Sequence, residues 1–293
     1  MKRRLYQLDV FTSTPFEGNP LAVITDGDEI SAARMQDVAR EMNLSETVFV
    51  QRPTNNRALA RLRIFTTTQE LPLAGHPVIG TWFLLAQLGV VPASEGSVHI
   101  LQQTGAGILP VEISFHDGRP VRVTMTQKTA KFRGTKIPRK ALAAALGLSV
   151  GDIPADLPIE AVSTGIFNLM VPIASRKALG KIAMNVTDAA KLLRGISQMA
   201  YCFTLGGRGQ VFSRGMLPWG GYEDPATGSA AGSLGAYLVR HGKLLGGERL
   251  KILQGVEMKR PSRIEVVVDS AGAKLTPRVS GSAVCVMEGQ IEA

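Results

Sequence analysis

The chain lays down one order of elements twice. Two loops rich in proline and glycine, ELPLAGHPVIGT at 70–81 and YEDPATGSAAGS at 222–233, each run directly into an apolar helical stretch. Ahead of the first loop, strand patterns at 5–11 and 21–25 flank a turn carrying Pro15, Gly18, Asn19 and Pro20. A helix capped by Ser31 follows, with Met35, Val38, Ala39 and Met42 at the i, i+3, i+4, i+7 spacing that buries one helical face. Strands at 47–50 and 59–66, the loop at 67–77 and a helix over 78–88, closed by Gly89, complete the first half. The second half repeats this with strands at 161–163 and 168–173. A helix capped by Thr187 then presents Ala189, Leu192, Leu193 and Ile196, and strands at 201–205 and 209–214 lead to a helix over 229–238. A period of about 150 residues is too long for a solenoid and reads as a duplicated domain, whose natural site is a cleft between the halves. The division is expected at the HDGRP turn, giving halves 1–118 and 119–279, and the last strand, 283–287, suits either.

Composition narrows the function classes. With 45% hydrophobic residues in 293, the chain can fill real cores. Its longest apolar stretch, 78–93, is broken by Thr81, Gln87, Gly89 and Pro92, so a buried helix is expected there and no membrane span. Lys2, Arg3 and Arg4 precede a strand-like run with Gln7 and Asp9, unlike a secretory leader, which points to the cytoplasm. Cys202 and Cys285 lie in apolar runs without a paired-ligand spacing; they read as free thiols, with neither zinc nor disulfide. The net charge of +9 is spread along the chain and reads as a bland basic surface and not as a nucleic-acid footprint; such a surface can also steer acidic substrates. TGAG at 104–107 leads into strand-like residues and reads as a hairpin turn, and no phosphate loop or complete nucleophile elbow occurs. No metal or nucleotide cofactor is expected.

The two pre-helical loops hold the candidate chemistry. Pro77 suits a first helical turn, with His76 near the cap, and free N–H groups at such a terminus attract anions such as a substrate carboxylate. Glu46, in NLSETVFV, stands between a helix end and an apolar strand. Burial there would raise a glutamate from its free value of about 4.3 toward a range where it both takes and returns protons. The alternative is a strand residue facing water. His76 reads equally as a ligand-binding group or a loop-bonding one, Asp224 as a site residue or a turn residue before Pro225, and Ser229 as a site residue or a helix cap. His99, His116 and His241 lack comparable company.

At these residues the chain resembles the phenazine-biosynthesis PhzF-like family. The resemblance rests on DVFTSTPFEGNPLAVI, NLSETVFV, RIFTTTQELPLAGHPVIGT, VSTGIFNLMVP and YEDPATGSAAGSLGAYL, in order and across nearly the whole chain. It implies an α+β fold of the diaminopimelate epimerase type: two pseudosymmetric domains, each a curved mixed sheet around a central helix, with the C-terminal strand, 280–293, returning to the first. It also implies a cofactor-independent homodimeric isomerase of a small carboxylate-bearing substrate. In that reading Glu46 is the proton shuttle and His76, Asp224 and Ser229 hold and polarise the substrate. Backbone N–H groups of Gly75, His76, Gly228 and Ser229 receive its carboxylate. The family's usual FTP is Phe65-Thr66-Thr67 here, the aromatic before AGHP is Leu73, and the GHPT threonine is Val78, so the pocket differs. Two other readings remain open: a binding protein that keeps the fold without the reaction, and a two-thiol racemase, which would need cysteines in loops that here carry Ala74-Gly75-His76 and Asp224-Pro225-Ala226.

Overall fold

The computed structural model describes all 293 residues, which divide into two compact units: Met1–Thr126 with Ser280–Ala293, and Gln127–Val279. In the first unit β1 (Lys2–Val10) pairs antiparallel with β2 (Asn19–Ile24), and α1 (Ala32–Met42) leads to β3 (Glu46–Gln51), parallel to β2. Next, β4 (Ala60–Phe65) lies antiparallel to β3 and pairs with the short β5 (Glu70–Leu71). After α2 (Gly75–Gln87) come β6 (Gly96–Thr104), parallel to β4, then β7 (Gly107–His116) and β8 (Arg119–Thr126) as an antiparallel meander. The HDGRP segment is the β7–β8 hairpin turn, with Asp117 and Gly118 both at positive φ, so the division falls after Thr126 and not at this turn. A DG pair between alternating strands is a hairpin signal before it is a linker signal.

The second unit begins with β9 (Lys131–Gly134), α3 (Arg139–Ala145) and β10 (Glu160–Ser163), and β10 pairs antiparallel with both β9 and β11 (Phe167–Pro172). Helices α4 (Arg176–Gly180) and α5 (Val186–Leu193) precede β12 (Ala200–Leu205), parallel to β11. Then β13 (Gln210–Leu217) pairs antiparallel with β12 and with β14 (Tyr222–Asp224), and parallel with β15 (Arg249–Gln254), which follows α6 (Gly228–Arg240). The unit closes with β16 (Ser262–Ala271) and β17 (Lys274–Gly281). Pairing directions through β1–β6 and β10–β15 are identical step for step. Even the flanking strand matches: β9 lies beside β10 as the C-terminal β18 (Ala283–Glu292) lies antiparallel beside β1.

Each unit wraps its strands around one helix. In α2 every residue from His76 to Ala86 is buried, and in α6 nearly all are, as expected of helices apolar on all sides. Glycine makes the closest contacts possible. A Cβ on Gly80 would stand 2.6 Å from Val10 Cγ2 and 2.7 Å from Leu21 Cδ2, and one on Gly235 would stand 2.7 Å from Val266 Cγ1. Outer helices complete the cores. Met35, Val38 and Ala39 of α1 pack with Phe49 and Phe65, while Leu142, Leu179 and Leu193 pack with Leu169, Val171 and Cys202.

Helix starts differ from expectation at three places. The first central helix begins at Gly75, three residues early, because a proline is tolerated anywhere in a first turn whose N–H groups have no intrahelical partner. Asn185, not Thr187, caps α5 and accepts the Asp188 N–H. Ser229 lies inside α6, whose N-cap is Thr227. No helix is long and apolar enough to cross a membrane.

Candidate active site

Strand alternation aims Glu46. It opens β3 opposite Leu21, on the face it shares with buried Val48 and Val50, while Phe49 points the other way into the α1 core. His76 enters from the first turn of α2 on the Glu46 side, and its Nε2 lies 3.3 Å from Glu46 Oε2. Both side chains are largely shielded, at 7% and 16% exposed.

Burial drives the His76 imidazole down to about 3, against a hydrogen bond to the Pro20 backbone that acts in the opposite direction. The ring is therefore neutral at ordinary pH. Since Nε2 makes no hydrogen bond, the Pro20 carbonyl takes its proton from Nδ1 and the nitrogen facing Glu46 presents a lone pair. The contact becomes a hydrogen bond when the Glu46 carboxyl carries a proton. A group that can hold a proton there, or surrender it, has the form an acid/base shuttle needs.

The turn that leads into Pro20, the second residue of β2, is stitched from side chains of its own segment. The buried Asp9 carboxylate accepts the Phe16 N–H at 2.6 Å, and Thr12 Oγ1 donates to Glu17 Oε2 at 3.1 Å. Gly18 is required by its φ of +68° and by the Val10 carbonyl, 2.3 Å from where a Cβ would stand. This lets DVFTSTPFEGNP turn back under His76.

The low value at His76 predicts an acid-labile fold. Between about pH 6.5 and 3 the unfolded chain binds a proton at this imidazole that the folded chain refuses, so stability falls as pH falls through that window. Denaturant melts at pH 7 and pH 4 should show the wild type losing on the order of 3 kcal/mol more than His76→Asn, because one proton withheld across one pH unit costs about 1.4 kcal/mol.

In the second unit, β14 delivers Asp224 to the start of α6. Its neighbour Glu223 is anchored in a two-pronged pair with Arg214, Nε to Oε1 at 3.0 Å and Nη2 to Oε2 at 2.7 Å. Arg214 Nη1 also donates to the Leu179 and Ile182 carbonyls. Asp224 accepts the Thr227 hydroxyl proton, so the N-cap residue bonds the carboxylate and not its own helix. Ala74, the N-cap of α2, has no capping side chain either. The first-turn amides of Gly75, His76, Gly228 and Ser229 thus lack side-chain caps, and two uncapped termini of buried helices are suited to anions.

The structure brings Glu46 to His76, and gathers Asp224, Thr227, Gly228 and Ser229 at the second helix start. It places the thiols elsewhere. Cys202 is fully buried in the second unit's core, where burial pushes its thiol up to about 12, and Cys285 is in β18, also raised by burial. Sequence reading missed Pro20, Thr227 and Gln254. The last is the buried final residue of β15, and its amide bonds both the Asp224 carbonyl and the Thr227 hydroxyl.

The profile of the PhzC-PhzF family, described as phenazine biosynthesis-like protein, matches residues 8–289. The chain belongs to this family. Within the phenazine biosynthesis-like proteins it is 38% identical over 289 residues, 98% of each chain, to a trans-2,3-dihydro-3-hydroxyanthranilate isomerase of Pseudomonas aeruginosa. The crystal structure of a PhzF-family protein from Bacillus anthracis superposes with a TM-score of 0.91 at 28% identity, covering 100% of both chains. A probable proline racemase from Agrobacterium radiobacter shares the fold at a TM-score of 0.67 and 15% identity, over 99% of this chain and 93% of its own. The protein is therefore an isomerase of the phenazine biosynthesis-like family, built on the α+β fold that the family shares with racemases and epimerases.

Proposed function

We propose that this phenazine biosynthesis-like protein isomerises a small carboxylate-bearing molecule by moving one proton through Glu46, without metal or nucleotide. Glu46 takes a proton from an activated carbon and returns it to another carbon, which shifts a double bond, or to the opposite face of the same carbon, which epimerises it. His76, neutral and held by its hydrogen bond to Pro20, accepts a hydrogen bond from the protonated Glu46 carboxyl between the two transfers. Asp224 and Ser229 bind and polarise the substrate, and the amides of Gly75, His76, Gly228 and Ser229 hold its carboxylate.

The observation that carries this reading is the 3.3 Å approach of a shielded glutamate to a histidine nitrogen left with a lone pair. A residue serving only the fold would have no need of a buried acid beside an unprotonated ring nitrogen. Trans-2,3-dihydro-3-hydroxyanthranilate, the molecule in the relatives' name, is the first compound to test. Incubated in D₂O with chelator present, it should gain deuterium at one carbon as product forms. Conversion that stops on adding chelator, or deuterium gain that survives loss of the Glu46 carboxylate, would reject the shuttle.

A further inference from the structure

Asp224 does not choose its own orientation. Behind it, in the second unit, a line of polar side chains crosses from β13 to β12 to β15 and back to the start of α6. Ser213 Oγ donates to the Tyr201 hydroxyl at 3.0 Å, and that hydroxyl donates to Gln254 Oε1 at 2.8 Å. Gln254 Nε2 donates to Thr227 Oγ1 at 3.0 Å, and the Thr227 hydroxyl donates to Asp224 Oδ2. Ser213, Tyr201 and Gln254 are completely buried.

The direction of every proton follows from the inventory of donors. Gln254 Oε1 also accepts the Thr227 N–H at 3.2 Å, which identifies that atom as the amide oxygen, so Nε2 is the end that donates. Nε2 also reaches the Asp224 backbone carbonyl at 2.8 Å, so all four valences of the amide are filled. Because Thr227 Oγ1 accepts from Nε2, its single proton is free to point only at Asp224. Tyr201 spends its one proton on Gln254, so the Ser213 proton must come to it. Burial keeps the Tyr201 phenol protonated, a permanent donor. A one-way chain of this kind polarises each link in turn.

The backbone makes room for it. Gly215, opposite Asp224 in the β13–β14 pairing, lies under the relay, and a Cβ there would stand 3.0 Å from Gln254 Nε2 and 3.1 Å from Thr227 Oγ1. Gly255, at φ +77°, lets the end of β15 approach Pro225, whose carbonyl oxygen lies 2.7 Å from where its Cβ would be.

We infer that Gln254 and Thr227 are positioning residues for the isomerisation. The buried donor relay from Ser213 through Tyr201 and Gln254 ends on Asp224 Oδ2, obliges that oxygen to accept, and so fixes the plane in which the carboxylate meets substrate. The inference rests on the proposed role of Asp224 in binding substrate. It explains why the helix start carries a threonine that does not cap its helix.

The test compares Thr227→Val, which keeps shape and loses the hydroxyl, with Thr227→Ser, which restores it. Gln254→Glu is the second arm, since a carboxylate still accepts from Tyr201 but has no N–H to give Thr227. Crystal structures of each should show one Asp224 rotamer in the wild type and Thr227→Ser, and displaced or multiple rotamers in Thr227→Val and Gln254→Glu. With trans-2,3-dihydro-3-hydroxyanthranilate as the probe, kcat should fall by about 10- to 100-fold in the latter two with KM changed far less, the size expected for a misplaced group, and Thr227→Ser should recover it. An unchanged Asp224 rotamer in Thr227→Val, or a Thr227→Ser variant as impaired as Thr227→Val, overturns the relay. Glu46→Gln run alongside separates the two failures. If it retains turnover the shuttle fails while the rotamers still decide the relay, and if it alone loses turnover the relay fails. If the wild type leaves the probe unchanged, the rotamer comparison decides by itself.

Discussion

Glu46→Gln should lower turnover by about 10²- to 10⁴-fold, the range for loss of one positioned acid/base, while leaving the melting temperature close to that of the wild type. The amide fills the carboxyl's place on β3 and cannot carry a proton to or from carbon. Its N–H can meet the lone pair of His76 Nε2, the atom that lies 3.3 Å from Glu46 Oε2. Stability and catalysis should therefore separate, and KM should move much less than kcat because the amides proposed to hold the substrate are untouched. Stopped-flow or product assays with the relatives' substrate, calorimetry of the same preparations and a ligand titration supply the three readings. A parallel fall in melting temperature and rate would assign Glu46 to the fold, and an unchanged rate would remove it from the reaction.

That Glu46 could be singled out at all reflects how local its signal is. An acid at the junction of a helix end and an apolar strand is visible in NLSETVFV, and so are the two helix-start loops, because proline, glycine and strand alternation act over a few residues. The same holds for the duplicated order of elements and for the TGAG hairpin, seen as the Thr104–Gly107 closure of β6 on β7. What escaped is set at long range. Pro20, at the start of β2, meets His76 in the first turn of α2, and Gln254 reaches Asp224 and Thr227 from 30 and 27 residues away. A glutamine at the end of a strand of alternating apolar residues carries no local mark of such a role. Ser229 and Thr187 show the complementary error. Several hydroxyl residues stand near each helix start, and only backbone geometry decides that Thr227 and Asn185 occupy the cap positions. Similarly, α3 and α4 are short and weakly periodic, of 7 and 5 residues, and strand alternation around them masks them.

The largest effect on stability is expected at a pair that does no chemistry. Arg214 and Glu223 are 9% and 11% exposed, and all three guanidinium nitrogens of Arg214 are engaged by Glu223 and by the Leu179 and Ile182 carbonyls. Replacing Glu223 with leucine strands a buried cation that the carbonyls solvate only in part. Removing one partner from such a pair typically costs about 3–5 kcal/mol. The double variant Glu223→Leu/Arg214→Met takes both charges out and should recover most of that loss, because what destabilises is the unpaired charge more than the missing attraction. Asp224 is the next residue along β14, so the single variant should also lose isomerase activity, and the double variant should regain it to the extent that β14 keeps its pairing with β13. Urea denaturation of the wild type, both single variants and the double variant closes the cycle and isolates the coupling. A single variant within about 1 kcal/mol of the wild type would show that the Arg214 charge is solvated without Glu223. A double variant no more stable than Glu223→Leu would instead show that the pair supports β14 through packing alone.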